Sequence, residues 1–177
     1  MNQIKKMWTY TGNKRPPFAE EPKKGEESVW DYPRPPVTDP DNRHILVKAE
    51  GVTLAETDRA VRVLETASPP TFYIPPDDVN RDLLEKASGT SFCEWKGRAS
   101  YWSVTIDGHK ITKAAWSYHN PSERFKEIDG YFSFYPALVE CYVNEENVIP
   151  QPGGFYGGWV TSEIVGPVKG EPGTGGW

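Results

Sequence analysis

Apolar and polar positions start to alternate at His44, and this alternation sets the reading of most of the chain. In "HILVKAEGVTLAET" (44–57), Ile45, Val47 and Ala49 alternate with Leu46, Lys48 and Glu50. The pattern resumes at Val52 and Leu54 after Gly51. A period of two marks a strand with two different faces. "RAVRVLET" (59–66) repeats it, with Val61 and Val63 on one face and Arg62 and Leu64 on the other. "SPPTFYIPPDDV" (68–79) predicts a short strand between two proline pairs. Proline cannot donate to a ladder, so this strand is expected at an edge or ending in a bulge. "PPDDVNRDLL" (75–84) predicts one helical turn, with Pro76 near its start and Asp77 and Asp78 in its first turn.

The plainest local signal is "RASYWSVTIDGHKITKAAWSY" (98–118), where Asp107-Gly108 separates two alternating runs. That dipeptide suits a two-residue hairpin turn. The implied register pairs Ile106 with His109, Val104 with Ile111 and Trp102 with Lys113 on one face. On the other it pairs Thr105 with Lys110, Ser103 with Thr112 and Tyr101 with Ala114. Trp102 is then on the inside, and Tyr101 and Trp116 fall on the opposite face. "NPSERFKEIDG" (120–130) predicts a short helix capped by Asn120 or Ser122 and ending before Gly130. "YFSFYPALVECYV" (131–143) reads as a further aromatic strand or a strand–helix step, interrupted at Pro136.

The ends of the chain read differently. Residues 1–28 are polar and proline-punctuated, a free linker or an arm that lays Trp8 and Phe18 on the domain. In "VWDYPRPP" (29–36), Trp30 and Tyr32 sit among prolines that hold the backbone extended, and both are expected to pack. Residues 151–177 form a glycine-rich tail in which Val160–Gly166 is expected to form one strand. The rest of the tail is expected to be mobile unless Phe155, Trp159 or Trp177 docks. The organisation is thus an arm (1–28), one β-rich domain (29–150) and a tail (151–177), with no internal repeat.

Composition narrows the function. The 177 residues suffice for one domain with a real core. The 20 basic and 25 acidic residues leave a net charge of −5, and the basic residues do not cluster, which disfavours nucleic acid as a partner. Sixteen glycines and 17 prolines favour turns and short strands over long helices. Cys93 and Cys141 form no CxxC pair, so a thiolate zinc site is not expected, and no cofactor is implied. The start of the chain has no apolar run like a signal peptide, and no stretch is long enough to span a membrane. A cytoplasmic protein without membrane partners is the expectation.

Several segments, in order, resemble one family, domain of unknown function 427. They are "VWDYPRPP" (29–36), "VLET" with "PP" shortly after (63–70), "YIPPDDV" (73–79) and "DLL" (82–84). "CEWKGRASYWSV" (93–104), "AAWSY" (114–118) and "GYFSFY" (130–135) follow. The resemblance implies a mainly β fold similar to the β-tent architecture, in which antiparallel sheets meet at an angle over a pocket. β-Tent relatives hold zinc with two CxxC pairs, which this chain lacks. The family is sometimes labelled nucleotidyltransferase, yet no phosphate-binding loop is found here. Where members often read "ETSHPP" this chain has "ETASPP", placing Ser68 at the histidine position. "SYHNP" stands for "SYPDP", which makes His119 a local novelty.

The candidate site residues follow from both readings. Lys96, followed by Gly97 at a strand entrance, is either solvated or positioned to hold an anionic group. Cys93 is a small buried hydrophobe, a pocket-wall thiol or, if a cation stabilises its thiolate, a nucleophile. Glu65 ends an apolar strand and is the best general-base candidate if partly buried. Tyr73, Tyr101, Trp116 and Tyr118 are core residues or the walls of a concavity. His44, His109 and His119 have no spacing that suggests a metal. The leading expectation is a domain binding a small polar molecule through Tyr73, Lys96, Tyr101, Trp116 and Tyr118. The second is an enzyme using the same pocket, with Glu65 or Lys96 as acid–base group and Cys93 as nucleophile. The third is an interaction module, a homodimer included, formed through the arms.

Overall fold

Two-faced strands must bury their apolar sides against each other, and this chain does so with several small sheets. The structure is a computed structural model and describes residues 9–93 and 95–177. The strands run in order as β1 (Glu27–Ser28), β2 (Val37–Asp41), β3 (Ile45–Ala49), β4 (Val52–Thr57) and β5 (Ala60–Leu64). They continue as β6 (Thr71–Tyr73), β7 (Leu84–Cys93), β8 (Gly97–Ile106), β9 (His109–Tyr118) and β10 (Phe132–Phe134). The last are β11 (Glu140–Val143), β12 (Glu146–Asn147), β13 (Ile149–Pro150), β14 (Trp159–Val160) and β15 (Ile164–Val165). Two four-stranded antiparallel sheets, β10-β9-β8-β7 and β12-β11-β3-β4, and a three-stranded one, β2-β5-β6, form the body. The helical pieces are short 3-10 turns, so the protein is mainly β. Among the described residues no helix is long and apolar enough to cross a membrane.

The main core lies between the two larger sheets. Val104, Ile106 and Phe134 meet Ile45, Val47, Leu54 and Val143 there. A second cluster joins the other side of β8 and β9 to the three-stranded sheet: Ala99, Trp116 and Tyr118 pack on Val61, Val63 and Tyr73. The β8–β9 ribbon is therefore buried on both faces, with Trp102 toward the first cluster and Tyr101 and Trp116 toward the second.

The hairpin begins in the expected register, with Ile106 opposite His109, Thr105 opposite Lys110 and Val104 opposite Ile111. It then slips by two residues, and Trp102 faces Ala115, not Lys113. The extra residues bulge at Lys113, whose φ of 52° breaks the extended run and whose N–H donates to Ser103 Oγ (3.1 Å). An even slip preserves which face each side chain takes. Leu84–Cys93 is a full strand that alternation did not reveal. It lies at a sheet edge with mostly exposed side chains, so nothing forces its pattern to alternate.

The expected turns appear as 3-10 segments at Pro76–Asp78, Arg81–Leu83 and Glu123–Ile128. Ser122 precedes the last of these, but its hydroxyl donates to the Trp95 carbonyl (2.7 Å) and does not cap the turn. Val160–Gly166 does not form one strand. β14 pairs with β13, and β15 pairs in parallel with β1.

Both ends pack onto the body. Trp159 is fully buried, stacked on Phe72 at 4.7 Å between centroids, and its Nε1 donates to the Phe134 carbonyl (3.0 Å). Trp177 stacks on Phe18 (5.1 Å) and meets Trp30 edge-on (4.9 Å). Trp30 and Tyr32 are buried, as expected from their proline-rich setting. Phe155 stays exposed. Trp8 lies outside the described residues.

Candidate functional site

The segment "CEWKG" is a tight hairpin corner. Cys93 pairs with Gly97 across the ladder, Trp95 and Lys96 lie in the turn before it, and Gly97 takes a positive φ of 99° that favours glycine. This corner presents Lys96 back toward the body. Glu65 arrives from the end of β5, in a turn where Ser68 N–H donates to the Glu65 carbonyl (3.1 Å) and Pro69-Pro70 follows. Lys96 and Glu65 line one cavity of about 150 Å³, together with Val63, Ser68, Pro69, Thr71, Gln151, Tyr156, Gly157 and Gly158.

Beneath it lies the aromatic cluster. Tyr73, Trp116 and Tyr118 are buried, and Trp116 Nε1 donates to Tyr73 Oη (3.1 Å). Tyr101 and Cys93 are partly buried at the margin of the cluster, and Tyr101 Oη is 2.7 Å from Ser91 Oγ. The structure thus gathers the seven candidates in one region but divides them. Lys96 and Glu65 open onto the cavity. Tyr73, Trp116 and Tyr118 form its buried support, and Tyr101 and Cys93 flank that support. Glu94 lies outside the described residues.

The electrostatics separate the roles further. Burial works against the Lys96 charge, but Tyr73, Cys93 and Glu65 outweigh it and hold the pKa above the ordinary lysine value. Its Nζ also lies over the Tyr118 ring, 5.5 Å from the centroid. Lys96 is therefore a firm cation at neutral pH. The Tyr118 phenol is pushed well above its usual range, first by burial and then by Tyr73, Cys93, Tyr101 and Tyr135. Tyr135 is raised in the same way, by burial and by its neighbours Tyr101 and Tyr73. These phenols stay protonated and act as hydrogen-bonding groups. Cys141 is buried, and burial raises its thiol, which leaves it unreactive.

Although Glu65 and Lys96 are partly buried, neither side chain makes a hydrogen bond or an ion pair among the described residues. A larger cleft, about 760 Å³, differs in this respect. Its buried charges pair with one another, Arg43 with Asp41 and Glu163 and Arg62 with Glu27, Asp39 and Asp41, while Asp58 and Glu127, which also line it, are exposed to solvent. Size alone favours that cleft, but groups left available to a ligand favour the smaller one. No cluster of three His, Cys, Asp or Glu among the described residues forms a metal site. His44 pairs with Glu56 and His109 with Glu50.

The tail supplies walls that the sequence reading left out. The buried Gln151 accepts from Gly158 N–H (3.1 Å) and donates to the Lys169 carbonyl (2.7 Å). Trp159 N–H donates to the Pro70 carbonyl (2.8 Å), fastening the tail beside Glu65. Gly157 lies against Trp116 so closely that an added Cβ falls 2.2 Å from the ring. Gly157→Ala is accordingly expected to force the tail off the indole and lower stability by about 1–3 kcal/mol. Denaturant unfolding reads that loss, and faster proteolysis within 151–158 reads the lifted tail. Unchanged stability and proteolysis would mean that the tail accommodates the methyl without leaving the ring.

The model for the domain of unknown function 427 matches residues 37–145. The chain belongs to that family. Glu65, Tyr73, Cys93, Lys96, Tyr101, Trp116 and Tyr118 all lie within the matched span. Gln151, Tyr156, Gly157 and Gly158 lie beyond it, so in this member of the family 427 the cavity is closed by residues outside the matched domain. No curated protein matches the chain.

Proposed function

We propose that the protein binds a small polar molecule in the cavity lined by Glu65 and Lys96. One observation carries this reading: a partly buried carboxylate and a partly buried ammonium open onto the same space without a hydrogen bond or ion pair among the described residues. Removing charged groups from water is unfavourable unless something compensates them. A ligand supplying the missing partners does so. Tyr73, Trp116 and Tyr118 pack in one buried cluster with the lining residue Val63, which favours a preformed wall and a smaller ordering cost on binding.

An enzyme in the same cavity is a weaker reading, because a lysine whose pKa is raised is poorly suited to act as base or nucleophile at neutral pH. The reading of the ends as docking arms is weaker too, since β1 and β15 pair within the chain and Trp177 rests on Phe18 and Trp30. Two free cysteines support a reducing, cytoplasmic setting, and a net charge of −5 argues against nucleic acid as the ligand.

The test is a thermal-shift panel of amino acids, sugars, organic acids and nucleotides on the wild type and on Lys96→Met. The expected result is a binder that raises the melting temperature of the wild type and leaves that of the variant unchanged. A hundredfold excess over Kd corresponds to about 2.7 kcal/mol of stabilisation. A binder that stabilises both proteins equally would place the ligand elsewhere, and a panel with no binder would count against the reading.

A further inference from the structure

We propose that the ligand of this cavity is a small zwitterion, an α-amino acid of about the size of glycine, alanine or serine, held with its carboxylate at Lys96 and its ammonium at Glu65. This rests on the binding reading above and adds the chemistry of the ligand. Three features of the cavity point to it.

The first is the pair of opposite charges. Glu65 and Lys96 line one space but make no ion pair with each other. Glu65 is nonetheless close enough to help raise the Lys96 pKa, so the two groups share a field across the gap. A molecule with one positive and one negative end, placed between them with its poles reversed, satisfies both. A simple anion leaves Glu65 uncompensated and adds repulsion to it. A simple cation does the same at Lys96.

The second is size. A cavity of about 150 Å³ holds the liquid volume of about five waters, at about 30 Å³ each. That matches the five to seven heavy atoms, roughly, of the smallest amino acids, whereas a sugar phosphate or a nucleotide would extend beyond it.

The third is the rest of the lining. Val63 and Pro69 give the lining apolar surface, and Ser68 and Thr71 add hydroxyl-bearing residues to it. Gly157 and Gly158 bring bare backbone against the groups around the cavity, where an added side chain would clash. At Gly158 an added Cβ would fall 2.3 Å from Gln151 Oε1 and 3.1 Å from Pro69 Cβ. The tail thus closes the space without occupying it.

The experiment is isothermal titration of the full chain at neutral pH with glycine, alanine and serine. Propionate, which lacks the ammonium, and alaninamide, which lacks the carboxylate, are titrated alongside. At least one of the three amino acids is expected to bind, with propionate and alaninamide each weaker than alanine by tenfold or more. Glu65→Gln and Lys96→Met are each expected to weaken the amino acid by a similar factor. Thermal melts of the variants confirm that they fold, and the ligand series on the wild type stands without them. Propionate or alaninamide binding as tightly as alanine would overturn the proposal, since the site would then read one charge. If some other molecule binds in a Lys96-dependent way while none of the three amino acids does, the zwitterion proposal fails and the cavity reading survives. If nothing binds in a Lys96-dependent way, both fail.

Discussion

Trp159→Ala is expected to lower stability by about 3–5 kcal/mol, the range for truncating a large buried aromatic. Trp159 is fully buried, stacks on Phe72 and donates its indole N–H to the Phe134 carbonyl (3.0 Å). Alanine therefore removes apolar burial and a ring contact and leaves the Phe134 carbonyl without that donor. The loss is a large fraction of the roughly 5–15 kcal/mol that holds a typical domain together. A urea titration reads it as a lower midpoint at a similar slope. Alanine keeps the backbone N–H that donates to the Pro70 carbonyl, but without the buried indole the tail is held less firmly beside Glu65, so the variant is expected to lose ligand binding before it unfolds. A loss of stability under about 1 kcal/mol would mean that the tail is a dispensable appendage.

The second large effect is expected at Arg62, whose side chain is 9% exposed and faces Glu27, Asp39 and Asp41. Arg62→Leu leaves three carboxylates near one another with their shared cation gone. Breaking a buried pair costs about 3–5 kcal/mol, and the lower end applies here. Glu27 and Asp39 are 38% and 42% exposed, and Asp41 keeps Arg43 at 2.6 Å. The same cluster sets an acid limit. Burial alone would raise the Asp41 pKa, but hydrogen bonds and charge from Arg43, with charge from Arg62, bring it below the ordinary carboxylate value. A group lowered on folding contributes its full stability above its unfolded pKa of about 3.9, and that contribution fades as pH falls through the folded pKa. Wild-type stability is therefore expected to fall below about pH 4, and less steeply in Arg62→Leu. Chemical denaturation at pH 7 and pH 3 measures both. Equal stability of wild type and variant at pH 7 would show that the arginine's desolvation offsets its ion pairs.

Different parts of this fold were legible to different degrees, for physical reasons. Asp107-Gly108 marked its hairpin because that turn needs those residues, and both flanking strands have an inside and an outside. The bulge at Lys113 was hidden because an even slip leaves the alternation intact. Leu84–Cys93 carried no pattern because an exposed edge strand imposes none. Glu65 and Lys96 were legible as polar residues at the ends of strands, where side chains are free to face a cavity. Tyr73, Trp116 and Tyr118 were marked by their place on alternating strands, but not their position beneath the cavity. Gln151, Tyr156 and Gly157 left no trace, since a glycine-rich run says little about where its backbone will dock. The nearest clue was Trp159, a bulky apolar group that the tail has to bury somewhere. Tyr135 stood in the recognisable segment "GYFSFY", yet its partnership with Tyr101 depends on sheet pairing.

The most direct test of the central claim is a ¹H–¹⁵N correlation titration of the full chain with the tightest binder of the panel. Shifts concentrated at Glu65, Ser68, Lys96, Gln151 and residues 156–158, together with the Trp116 indole, are the predicted result. Shifts concentrated instead on Asp39, Asp41, Arg43 and Arg62, with the Glu65–Lys96 cavity silent, would contradict the account and move the binding site to the larger cleft.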